Sequence, residues 1–177
     1  MTVSALQAGQ PFPDVTTPKW GGGSVELGKP KDGHDWKLVV VYRGKHCPLC
    51  TKYLQTLNEV APTLGEIGVD VVAVSADSAE RAADQLAEVQ PAYEVGYDLS
   101  VEQMRAMGLY ISSPRNGMNA ERPFAEPGLF VINGDGRVQI VDISNVPFAR
   151  PDPHKILMGV KFLRNLEGEF PINGSYA

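Results

Sequence analysis

The chain has 177 residues, enough for one domain with a substantial core, and its 43% hydrophobic and 21% charged composition is ordinary for a globular protein. A net charge of −5, a pI near 5.2 and no block of like charges argue against a nucleic-acid surface, which would carry a basic stripe. The longest apolar run, Leu38 to Tyr42, falls far short of the roughly 20 residues that span a bilayer, and the N-terminus lacks a basic start followed by an apolar core. The expectation is therefore a single cytoplasmic domain over residues 1–177, with neither a membrane nor a nucleic-acid partner.

Taken in chain order, residues 1–22 are rich in Pro, Gly and Thr and read as an extended arm, with SVELG (24–28) as a short strand. WKLVVVYRG (36–44) is β-branched and uniformly apolar at its centre, which predicts a strand buried on both faces. From Pro48 to about Leu64, the positions Leu54, Leu57, Val60, Ala61 and Leu64 recur at helical spacing, and Pro48 suits a first helical turn. Residues 69–77 (VDVVAVSAD) predict a second buried strand, and the Ala-rich 78–90 a helix. A short strand in EVGYD and a helix near 100–108 precede a long irregular segment, 110–127, of a length that is often functional. GLFVINGDGRVQIVDI (128–143) predicts two strands around a Gly-Asp-Gly turn. A last helix over 152–168 places Ile156, Val160 and Leu163 on one face. Strand, helix, strand, helix, then hairpin and helix make a mixed α/β sheet, parallel first and antiparallel at its end.

Both cysteines of the chain, Cys47 and Cys50, fall where the first buried strand hands over to the first long helix. Cys47 would sit at or beside the helix N-cap and Cys50 within the first turn. Unpaired N–H groups and the positive end of the helix dipole stabilise a thiolate there. A thiolate at the helix start can form a mixed disulfide with a substrate, and the thiol three positions on can resolve it within the short span that a disulfide requires. Cys47 is expected to point outward and to attack, and Cys50 to be more buried. A structural zinc site would need four ligands, and His34, His46 and His154 supply no second pair. Two inert buried thiols are the other bland alternative. GSVELGK (23–29) matches the start of a phosphate-binding loop, but Pro30 follows it and no helix does.

In their order and spacing, GQPFPDVTTP, SVELGK, LVVVYRG, CPLCTKYL, VVAVSAD and EPGLFVINGDGRV resemble the alkyl hydroperoxide reductase/thiol-specific antioxidant (peroxiredoxin-like) family over about residues 8–165. The resemblance implies a thioredoxin-like fold, three-layer α/β/α around a central mixed sheet, with a peroxiredoxin-type N-terminal extension. Two departures stand out. Cys47 occupies the place of the family's Thr if Cys50 aligns with the peroxidatic position, and Pro127 occupies that of its later Arg. Pro127 resembles the cis-proline of thioredoxins, which packs against the paired thiols, so a cis Glu126–Pro127 bond close to the cysteines is expected. Arg43 could supply part of the missing charge, and His46 could tune the pair. Arg115 and Arg122 read as surface charges.

These features imply an oxidoreductase that cycles Cys47 and Cys50 between dithiol and disulfide. It would need no cofactor or metal, would act on a disulfide or a peroxide, and would be re-reduced by an external thioredoxin- or glutathione-like dithiol. The alternatives are a peroxidase with Cys50 peroxidatic and Cys47 resolving through a sulfenic acid, and a redox-sensing module whose 110–127 loop binds a partner.

Overall fold

The computed structural model describes residues 4–167 and 171–176. The elements are β1 (Thr16–Pro18), β2 (Ser24–Glu26), β3 (Trp36–Val41), α1 (Pro48–Glu66), β4 (Val69–Val74), α2 (Ala79–Val89), β5 (Glu94–Gly96), α3 (Val101–Ala106), β6 (Ile111–Ser112), β7 (Phe124–Ala125), β8 (Gly128–Ile132), β9 (Val138–Ile143) and α4 (Pro153–Asn165). The central sheet runs β5-β4-β3-β8-β9. Its β3–β4 and β4–β5 pairs are parallel, and β3–β8 and β8–β9 are antiparallel. The mixed sheet read from the sequence is thus the sheet observed, with β3 at its centre.

Alternation along β3 divides the core into two layers. Leu38, Val40 and Tyr42 face a cluster shared with Leu54, Leu57 and Leu64 of α1, Leu86 of α2 and Val160 of α4. Val39 and Val41 face the other side, where Met104 and Met107 meet Leu6, Phe12, Val15, Val25 and Leu27 of the N-terminal segment. The arm is therefore a structural layer: its β1–β2 hairpin and its Phe12, edge-on to Phe130 with centroids 5.4 Å apart, cover sheet that α3 alone leaves bare. Burial on both faces explains why β3 and β4 read as unbroken apolar runs.

Several boundaries differ from expectation. Segment 110–127 is closed at its base by β6 pairing with β7, so it is a long hairpin loop rather than an irregular one. β4 ends at Val74, because Ser75 and Asp77 turn their polar groups into local bonds. α4 is capped by Asp152, whose carboxylate accepts the His154 and Lys155 N–H groups, and it ends at Asn165; residue 168, where the sequence placed its end, lies outside the described residues. The glycine-rich GSVELGK is β2 and the turn after it, with no helix start to hold a phosphate.

An ion pair lies inside the sheet. Lys37 of β3 and Asp70 of β4 are direct partners in the parallel register, each side chain 1% exposed, with Nζ and Oδ2 2.6 Å apart. The Lys31 N–H also donates to Asp70 at 3.1 Å. Breaking such a pair strands a buried charge, so Asp70→Asn is expected to lower stability by about 3–5 kcal/mol in urea unfolding, far more than loss of an exposed pair would.

Candidate active site

β3 ends at the centre of the sheet and the chain must turn to start α1. The turn, residues 42–47, is held by side chains from α2 and the loop before it. Asp77 accepts the Lys45 N–H at 2.7 Å, and Gln85 donates to the Gly44 carbonyl at 3.2 Å and to the Thr51 hydroxyl at 3.0 Å. Gly44 has φ +130°, and a Cβ there would come within 2.7 Å of the Asp77 carboxylate, so this position accepts only glycine.

Cys47 is the N-cap of α1, with extended backbone (φ −113°, ψ 98°), and its Sγ accepts the Cys50 N–H at 3.2 Å. A sulfur thus fills the capping place usually taken by a hydroxyl or carboxylate oxygen. Pro48 follows at the first helical position, where its missing N–H costs nothing. The same cap brings the two thiols together. The Cys50 S–H donates to the Cys47 sulfur, and this bond is the largest influence holding the Cys47 thiol below its ordinary value. The Cys50 N–H and the Arg43 guanidinium add to it, and burial opposes it. Cys50 is pushed up for the reciprocal reason, that bond to Cys47, and by its own burial. The pair therefore ionises asymmetrically, with the negative charge on Cys47.

The expected outward orientation of Cys47 is not what the structure shows. Cys47 is 2% exposed and Cys50 0%. The order of burial is as expected, but both sulfurs face the core layer beneath α1, because a capping sulfur must turn inward to meet the Cys50 N–H. The residues between them, Pro48 and Leu49, are the exposed ones.

Pro127 also departs from expectation. No cis peptide bond occurs among the described residues, so Glu126–Pro127 is trans. Trans is the lower-energy isomer of an X–Pro bond by about 0.5–1 kcal/mol. Here the chain on either side is already extended: Ala125 pairs with Ile111, and Gly128 with Val41. Pro127 is buried, and the β3–β8 register carries it past the end of β3 alongside the 42–43 turn. What the segment delivers to the site is Glu126. Its buried carboxylate accepts the Ser112 hydroxyl at 2.7 Å and lies 3.0 Å from Arg43 Nε, an ion pair whose N–H is not aimed along the contact. Arg43 also lies over the Phe124 ring, 5.1 Å from its centroid. Arg43 is accordingly shared between the Glu126 carboxylate and the Cys47 sulfur.

His46 packs against Phe124, ring centroids 4.4 Å apart, and both its nitrogens are buried without a hydrogen-bond partner. Burial first, then the Arg43 charge, lowers its pKa, so it is a neutral packing residue at the rim. Arg122 pairs with Asp98 on the surface and Arg115 is exposed. His154 pairs with Glu59, and no group of three or more His, Cys, Asp or Glu residues among those described could hold a metal ion. Glu126, Asp77 and Gln85 were not singled out from the sequence; an acidic residue directly before Pro127 was the only visible signal. Arg150 was missed as well. It reaches the first turn of α1 from 101 residues away, its Nη2 donating to the Leu49 carbonyl at 3.1 Å and its guanidinium lying 4.0 Å above the Tyr53 ring.

A five-stranded mixed sheet whose central strand delivers two mutually hydrogen-bonded thiols to the start of a helix defines a thioredoxin-fold thiol protein. The chain belongs to the AhpC/TSA family, whose model matches residues 8–141. It is 25% identical over 134 residues to the thiol-disulfide oxidoreductase ResA of Bacillus cereus, covering 75% of this chain and 68% of that protein. Among solved structures, it superposes on peroxiredoxin 6 of Arenicola marina with a TM-score of 0.75 at 16% identity, covering 90% of this chain and 74% of that one. A peroxiredoxin-like protein from Aquifex aeolicus gives a TM-score of 0.73 at 21% identity, covering 90% and 89%. These structures share the thioredoxin-like fold. The protein is an oxidoreductase of the thiol oxidoreductase or peroxidase class. Among the described residues no helix is long and apolar enough to cross a membrane.

The asymmetry sets a pH profile. The alkylation rate of the reduced protein by limiting iodoacetamide should rise with pH as Cys47 ionises, with a midpoint at about 6 instead of the ordinary 9.0, and peptide mapping should place the label on Cys47. Arg43→Gln should move that midpoint up by about one unit, the effect of losing a neighbouring opposite charge.

Proposed function

We propose that the protein reduces disulfides through Cys47, with Cys50 resolving. The observation that carries this reading is the Cys47 sulfur capping α1 on the Cys50 N–H at 3.2 Å, the position where charge on sulfur is best stabilised and where the second thiol is already in contact. The Cys47 thiolate attacks one sulfur of a substrate disulfide, and the other substrate sulfur leaves with the bonding electrons and takes up a proton. Cys50 then gives up its proton and attacks Cys47. The Cys47–Cys50 bond forms and the second substrate sulfur leaves as a thiol. Two electrons pass to the substrate, and an external dithiol restores the pair. Because both sulfurs are covered, a substrate must displace side chains to reach Cys47, so extended or small disulfides are favoured over those fixed inside a rigid surface.

That same cover supports a second reading, reduction of a peroxide small enough to slip beneath it. The Cys47 thiolate would take one peroxide oxygen as a sulfenic acid, releasing an alcohol or water, and condensation with the Cys50 thiol would yield the disulfide and water. Peroxidatic attack by Cys50 has less support, since its thiol is held protonated by the bond to Cys47 and by burial.

Insulin-disulfide reduction and peroxide consumption, measured side by side, test the proposal. Cys47→Ser should abolish both, and Cys50→Ser should accumulate a mixed disulfide on Cys47. Peroxide turnover that persists in Cys47→Ser would transfer the nucleophile's role to Cys50.

A further inference from the structure

We propose that Arg150 is a positioning residue for the resolving step, fixing the first turn of α1 and setting a positive charge beside Cys50 as that thiol attacks the mixed disulfide. This inference rests on the reading in which Cys47 attacks first.

The segment 144–152 joins β9 to α4 and lies against the start of α1. Arg150 Nη2 donates to the carbonyl of Leu49, which stands between the two cysteines, at 3.1 Å. Its guanidinium lies 4.0 Å over the ring of Tyr53, and the Tyr53 hydroxyl donates back to the Pro151 carbonyl at 2.7 Å. The Ser144 hydroxyl bonds to the Ala149 carbonyl, and Asp152 caps α4, so both flanks of the segment are anchored. In this setting Arg150 Nη1 is buried with no hydrogen-bond partner. A buried guanidinium N–H left unpaired in an otherwise satisfied segment is a donor available to a charge that appears only during reaction.

The two thiols have different electrostatic surroundings. Cys47 has Arg43 and the helix start. Cys50 faces the Cys47 sulfur and the buried Tyr42 of the 42–47 turn, receives the Arg43 backbone N–H, and feels Arg150 as its cation. Tyr53, beneath the Arg150 guanidinium, feels the charges of Asp152 and Asp142 as well as that of Arg150. In the resting dithiol, the hydrogen bond to the charged Cys47 sulfur and burial keep Cys50 protonated. Once Cys47 is bound in a mixed disulfide that charge is gone, and Arg150 remains beside a thiol that must now ionise. The Cys50 proton passes to solvent, its sulfur forms the bond to Cys47, and the substrate sulfur departs with the electron pair and is protonated. Arg43 thus serves the first attack and Arg150 the second.

The test is single-turnover reaction of the reduced full-length protein with the small aromatic disulfide dithiobis-nitrobenzoate, followed by absorbance. Attack by Cys47 releases one coloured thiolate and resolution by Cys50 releases the second, so the two steps are read separately. Arg150→Gln, or Arg150→Met with its stem still on Tyr53, should slow the second phase and shift its pH midpoint upward. Each unit of that shift should slow the phase about threefold near neutral pH, since tenfold less thiolate is partly offset by a more basic sulfur. Arg150→Lys should restore the midpoint. A second phase unchanged in rate and midpoint in both neutral variants, or both phases slowed alike and not rescued by lysine, would overturn the role of Arg150. A first phase that is lost in Cys50→Ser but kept in Cys47→Ser would instead overturn the underlying reading, and this inference with it.

Discussion

A sulfur capping a helix is the contact on which the rest of this molecule turns. The first N–H groups of α1 have no partner within the helix, and Cys47 supplies one with its side chain. The bond that completes the helix adds to the stabilisation of charge on Cys47 and brings against it the Cys50 thiol, whose S–H does most to hold that charge, so helix capping and thiol activation share one geometry. The surrounding framework keeps it in place: β3 is fixed between β4 and β8 at the sheet centre, and Asp77 and Gln85 hold the turn that follows. The junction is braced by side chains from a different part of the chain, which satisfy its backbone polar groups.

Arg81 extends this framework to the long loop. It pairs with Asp77 at 3.3 Å and donates to Asn119 at its carbonyl, 2.5 Å, and its side-chain oxygen, 3.4 Å. On the far side Glu126 takes up Arg43, with Ser112 of β6 holding the carboxylate. The 110–127 hairpin loop is therefore tied to the thiol junction at two points, through Asp77 and through Arg43. The Arg43 guanidinium is divided between a fixed carboxylate and a sulfur whose charge changes with its oxidation state. Its pull toward Glu126 should be stronger when Cys47 is bound in a disulfide and weaker when Cys47 is a thiolate.

Much of the fold was legible because its strongest signals are local. The continuous apolar runs of β3 and β4 announced strands buried on both faces, and the helical spacing of Leu54, Leu57, Val60 and Leu64 announced α1. The hairpin of β8 and β9 was signalled by its turn. The site was legible to the same extent: two cysteines three positions apart at a strand-to-helix junction specify the N-cap and the first turn. The structural role of the N-terminal arm was not legible, because Phe12, Val15 and Leu27 find their partners on a sheet face assembled from distant strands.

From the sequence alone came the fold class, the place of the thiols at a helix start and the chemistry that this place permits, all consequences of short-range patterning. Tertiary structure alone decided how deep the sulfurs lie, which of them carries the charge, and which cations serve them. Pro127 illustrates the limit: likeness of position suggested a cis bond packed on the thiols, but the ladders on either side of it fit a trans bond and bring Glu126 to Arg43 instead. Arg150 had no local signature, since its meaning comes only from the folding of the β9–α4 connection onto α1. The physical reason is common to both. Backbone preference and hydrophobic period act over a few residues, whereas burial and electrostatic environment are set by whatever the completed fold packs against a side chain.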